Sequence, residues 1–144
     1  MHEKVKKTMI RKVLTLLAPL LAGAVAMEAV PAEAGPRRSP EEQLQRELRG
    51  RVAGEPVNCV NLRTIRNSRV IDRTALVFDA GGTIYVNRPR GGAESLSSWD
   101  TQVVRPFGSQ LCSIDTIKMV DPVSGSFRGI VFLGDFVPYR RARN

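Results

Sequence analysis

The sequence predicts an α+β domain: a small antiparallel β-sheet built from two hairpins, preceded by one short N-terminal helix. Three observations carry this. Ser39-Pro40-Glu41-Glu42 supplies a hydroxyl to cap a helix, a proline for its first turn and a glutamate that can reach back as in a capping box. Thr74–Asp79 alternates, with Leu76 and Phe78 on one face and Ala75 and Val77 on the other; after Gly81-Gly82 the chain returns as Thr83–Asn87. Ile114–Val120, the turn Asp121-Pro122-Val123-Ser124-Gly125 and Ser126–Leu133 make a second hairpin.

The elements follow in order. Residues 1–34 read as an export signal. Lys4, Lys6, Lys7, Arg11 and Lys12 form the basic part, Val13–Met27 carries no charge, and Ala32-Glu33-Ala34 offers small residues to a signal peptidase. Cleavage is expected after Ala34, with Ala24-Val25-Ala26 as a second candidate. The 15-residue apolar run is shorter than the about 20 residues a spanning helix needs, so no transmembrane anchor is expected after cleavage. The location implied is periplasmic or secreted.

Residues 35–56 read as a linker and the helix, which Gly50 stops. With only Leu44 and Leu48 to bury, the helix is expected to lie loosely on the domain. The folded β-rich domain is 57–139, with a short strand at Arg69–Asp72 and a polar loop from Pro89 to Ser98. The stretch through Trp99, Val103, Val104 and Phe107 to Leu111 reads as irregular cover, Gly129 as a bulge, and Pro138 as the end of order. Residues 140–144 are a basic tail.

Gly35–Asn144 holds 17 basic and 11 acidic side chains, a net charge of +6; Lys118 is its only lysine. The one histidine, His2, lies in the signal, so neither a Ser-His-Asp nor a Cys-His arrangement can be built from the remainder. Zinc would need more Cys or His ligands than are present, and no cofactor is called for. Cys59 and Cys112 are the only cysteines, and an even pair in an exported chain reads as a disulfide. A redox pair would be expected to show Cys-x-x-Cys spacing, which is absent.

The order Cys59-Val60-Asn61-Leu62 with Ile65, Val70-Ile71-Asp72, Leu76-Val77-Phe78, Ile84-Tyr85-Val86-Asn87, Leu111-Cys112-Ser113-Ile114-Asp115 and Leu133-Gly134-Asp135-Phe136 resembles a family of small exported bacterial proteins built on a domain of unknown function. The resemblance spans Val57–Tyr139; its motifs are short, and their order carries it. It implies export and a shared fold, and no activity. Members often carry two further cysteines, one in the loop after the first hairpin and one just before the Leu-Gly-x-Phe ending. This chain has Gly91-Gly92-Ala93-Glu94 and Val131-Phe132 in those regions, so the resemblance implies a second disulfide that is lost here.

The functional candidate is the run Arg63, Arg66, Arg69 and Arg73, which Arg88, Arg90 and Arg105 could extend into a basic face. Its partner would be an anionic envelope lipid, an acidic polysaccharide or an acidic protein; nucleic acid would bind non-specifically. The expected role is a non-catalytic exported protein that binds such a partner. One alternative is a small enzyme using carboxylates drawn from Asp72, Asp79, Asp100, Asp115, Asp121 and Asp135. Another is an accessory subunit of an envelope assembly. Tyr85, Trp99, Phe107, Phe132 and Phe136 read as core and rim.

Overall fold

The computed structural model describes residues 38–106 and 108–142. The expected signal and its cleavage site lie outside the described residues. The helix α1, Pro40–Glu47, begins as its sequence dictates. Ser39 Oγ accepts from the Glu42 N–H at 3.2 Å, and Glu42 Oε2 accepts from the Ser39 N–H at 2.9 Å. The helix does not lie loosely. Leu44 is fully buried and Leu48 nearly so, both packed with Ile71, Ala75, Val77, Ile84 and Val86. Each buried leucine contributes about 2 kcal/mol, enough to hold two helical turns in place. Ion pairs from Glu47 to Arg69 and from Glu41 to Arg88, both 2.7 Å, tie the helix down at two more points. The Arg88 hydrogen bond also holds the Glu41 carboxyl below its usual range.

The strands are β1 (Arg51–Ala53), β2 (Cys59–Asn61), β3 (Asn67–Ile71), β4 (Ala75–Asp79), β5 (Thr83–Asn87), β6 (Thr101–Val104), β7 (Gln110–Cys112), β8 (Thr116–Val120), β9 (Phe127–Phe132) and β10 (Phe136–Arg141). They form three antiparallel sheets: β1-β10-β5-β4-β3, the ribbon β2-β7, and β6-β8-β9. The two expected hairpins are present, as β4–β5 and β8–β9, but they belong to different sheets. The fold is therefore layered: α1, then the five-stranded sheet, then the two smaller sheets. Both faces of β4 are covered. Ala75, Leu76, Val77 and Phe78 are all buried, because α1 covers one side and the second core the other. That second core joins Leu76, Phe78 and Phe136 to Val60, Leu111, Ile117, Met119 and Val131.

Two further expectations fail. The stretch taken as irregular cover contains β6, paired with β8, and β7, paired with β2. Pro138 does not end the order. It lies inside β10, an internal strand of the large sheet, and Arg140 and Arg141 continue the ladder opposite Thr83 and Arg51. The reason is directional. The Pro138 carbonyl accepts from Gly54 at 2.7 Å, so its polar side faces the residue just beyond β1. Its missing N–H therefore falls at the end of a short ladder and leaves the pairing with β5 intact. Gly129 does lie at an irregularity: the β8–β9 register shifts between Met119 and Val120.

The cysteines form the expected disulfide. Cys59 and Cys112 are direct cross-strand partners, with Cα atoms 4.0 Å apart. This is closer than the usual 4.4–6.8 Å because the pair occupies a rung without backbone hydrogen bonds, where strands approach most closely. The Cys112 N–H instead donates to Asp115 Oδ2 at 2.7 Å.

Candidate functional site

The four arginines of the candidate site are all exposed. Burying that many like charges without partners would be prohibitive. Their positions are set by different local features. Arg63 sits in the 3₁₀ turn Leu62–Thr64, whose start is capped when Asn61 Oδ1 accepts from the Arg63 N–H at 3.0 Å. Arg66 immediately precedes β3, with its guanidinium over Gly81 in the β4–β5 turn. Arg69 projects toward α1, where Nε and Nη2 both donate to Glu47 Oε2. Arg73, at φ 53°, makes the left-handed turn between β3 and β4.

Arg63 and Arg66 are thus neighbours, Arg69 is neutralised, and Arg73 lies at the far end of the strand, about 20 Å from Arg66 at the usual rise. The run does not gather around one point. Among the described residues, Arg63, Arg66, Arg73, Arg90, Arg105 and Lys118 have no ion-pair partner, whereas Arg69, Arg88 and Arg128 do.

The carboxylates are occupied with local structure. Asp72 Oδ1 accepts from Ser98 at 2.6 Å, Asp79 Oδ1 from Gly81 at 2.7 Å, and Asp115 from Cys112. Asp121 Oδ1 accepts from Val123 and Ser124 in the β8–β9 turn, and its Oδ2 lies 2.6 Å from Arg128 Nη2. Asp100 approaches the same guanidinium at 3.9 Å. Asp100, Asp121 and Arg128 line a shallow open depression with Trp99 and Val123. Two of the candidate carboxylates thus approach one guanidinium. The Ser124 N–H, then Arg128, then the Val123 N–H hold the Asp121 carboxyl far below its usual range, so it stays charged at any ordinary pH. Such a group has no proton to give as a general acid. Among the described residues, no three His, Cys, Asp or Glu side chains converge as metal ligands would.

Sequence reasoning missed the outer face of β6-β8-β9. Of the aromatics taken as core and rim, Phe136 is fully buried, but Trp99 is 84% exposed and Phe132 45%. Phe107 lies outside the described residues. The usable signal was alternation in β8: Ile117 and Met119 point inward, which sends Thr116, Lys118 and Val120 outward. Among the described residues, no helix is long and apolar enough to cross a membrane. Comparison with family models, curated proteins and solved structures finds no match for the chain.

Proposed function

We propose that this chain is a small exported, non-catalytic protein that binds an anionic partner in the bacterial envelope. The observation that carries the reading is the surplus of exposed cations without carboxylate partners among the described residues, eleven in all, with Arg63, Arg66, Arg73, Arg90, Arg105 and Lys118 among them. The leader-like order of residues 1–34 and the Cys59–Cys112 disulfide support an oxidising location. The test is retention on phosphatidylglycerol vesicles and on an acidic polysaccharide across a salt series. The wild type should elute earlier as salt rises. Changing Arg63, Arg66, Arg69 and Arg73 to Gln should weaken retention by about threefold to tenfold if these charges contribute. Equal retention by the two proteins would remove these four as the binding groups.

We also propose membership of the resembled family. The geometry at the two regions of the implied second disulfide supplies the support. Gly91 and Phe132, one from each region where family members carry the extra cysteines, are bridge partners. A Cβ built on Gly91 would lie 4.0 Å from the Phe132 Cβ, inside the span of a disulfide. The double variant Gly91→Cys, Phe132→Cys should therefore oxidise to a bridged form and gain about 2 kcal/mol over its reduced state. Mass after thiol alkylation reads the bond, and urea unfolding reads the gain. Two persistently free thiols would count against the family assignment.

A second reading, an accessory subunit, is favoured by the exposed apolar side chains on β9, Phe127, Ile130 and Phe132.

A further inference from the structure

We propose that the outer face of β6-β8-β9 is a docking surface for an anionic phospholipid bilayer. The inference rests on the anion-binding reading above and assigns it a partner and a place. Of the nine large apolar side chains exposed among the described residues, seven belong to this sheet or the turns around it. The register arranges them. Thr101, Val120 and Phe127 share one row; Val103, Lys118 and Ile130 share the next; Thr116 and Phe132 end the face. Val103 is 37% exposed, Ile130 37%, Phe132 45% and Phe127 61%. Lys118, the only lysine of the domain, stands at the centre of the middle row. Beyond the ends of the strands, Trp99, Ile114 and Val123 protrude at 84%, 77% and 94% exposure.

An exposed sheet face would normally be polar, as alternation allows. Here it is mostly apolar, with Thr101, Thr116 and Lys118 set among Val103, Val120, Phe127, Ile130 and Phe132. Charge decides the occupant. Lys118, Arg105 and Arg90, on or beside the face, have no ion-pair partner among the described residues. Of the nearby carboxylates, Asp100 and Asp121 are already engaged with Arg128 and Asp115 with the Cys112 N–H, so the three cations outnumber Glu94 on the loop beside β9. A second copy docked face to face about a central two-fold axis would set Lys118 against Lys118, a like-charge contact in an apolar setting. A bilayer carrying phosphates meets both demands at once. Its acyl boundary accepts protruding Trp, Phe and Ile side chains, and its headgroups accept the cations, with the lysine stem spanning the two.

The test uses the chain from Gly35 onward. Both cores lie within the compact unit Pro36–Asn144, and the apolar run Val13–Met27, which would bind lipid by itself, is left out. Trp99 is the only tryptophan, so its emission reports this site alone. Its emission should shift to shorter wavelength with phosphatidylcholine vesicles containing phosphatidylglycerol, and much less with phosphatidylcholine alone. Phe127→Ser with Ile130→Ser should weaken partitioning at least about tenfold. Lys118→Glu, at an exposed position outside both cores, should weaken it only on the anionic vesicles. Unchanged thermal midpoints establish that both variants fold.

If vesicle retention responds to the four arginines while Trp99 emission and the face variants do not, anion binding stands and the face is not its site. Retention on neither vesicles nor polysaccharide removes both readings. Equal binding to both vesicle types overturns the assignment of charge to Lys118. A dimer that Phe127→Ser with Ile130→Ser dissociates, without a lipid shift, assigns the face to a second copy. A polypeptide partner that competes with no vesicle assigns it to protein.

Discussion

Replacing Cys59 and Cys112 together with Ser is expected to cost about 4 kcal/mol of stability, the chain-entropy value for a cross-link between residues this far apart in sequence. They are separated by 53 positions. The structure explains why little else would offset the loss. The bond joins β2 to β7, a two-stranded ribbon of three residues on each side. Such a ribbon is marginal by itself in water. Of its side chains only Val60 and Leu111 are buried, both in the core shared with Ile117 and Met119. Release of the ribbon would loosen that core from one side. Thermal unfolding followed by far-ultraviolet circular dichroism should show a midpoint lowered by roughly 15 °C or more in a domain of this size. Reductant should lower the wild-type midpoint equally and leave the variant unchanged. An unshifted variant would mean that Val60 and Leu111 hold the ribbon without the bond.

What could be read from the sequence was local, and what could not was pairing across distance. The capping box at Ser39 and Glu42 involves residues three apart, and β4–β5 is closed by a short glycine turn whose chemistry is written beside it. β6 and β7 carry no such mark. Each is three or four residues long, and their partners β8 and β2 lie elsewhere in the chain. β10 was hidden by Pro138, because whether a proline breaks a strand depends on which neighbour its nitrogen faces. The spread of the arginine run has a related cause. From Asn67 the chain is extended, so Arg69 turns toward α1 and Arg73 is carried to the next turn. The apolar outer face became legible only once β6 was known to flank Lys118 on the side away from β9.

Gly92→Ala is expected to destabilise the domain by about 3 kcal/mol, combining a left-handed backbone conformation with a steric collision. Gly92 has φ 75° and starts the 3₁₀ turn Ala93–Ser95. A Cβ there would overlap the Ile130 carbonyl oxygen, and backbone cannot rotate aside as a side chain can. The same segment is pinned twice more: Ser95 occupies the space above Gly129, and Phe132 exchanges hydrogen bonds with Gly91 and Arg90 at 2.9 and 3.0 Å. Together these contacts lay the loop along β9 and close what would otherwise be an open sheet edge. Gly125→Ala separates the two contributions. Gly125 has φ 67° but nothing within 4 Å of an added Cβ, so it should cost only about 1 kcal/mol, from the backbone conformation alone. Urea unfolding of the two variants side by side gives the comparison. A larger loss for Gly92→Ala, accompanied by faster aggregation, is the result expected if the loop guards β9. Equal losses would show that the loop can lift away from Ile130 without penalty, leaving the β9 edge free to pair.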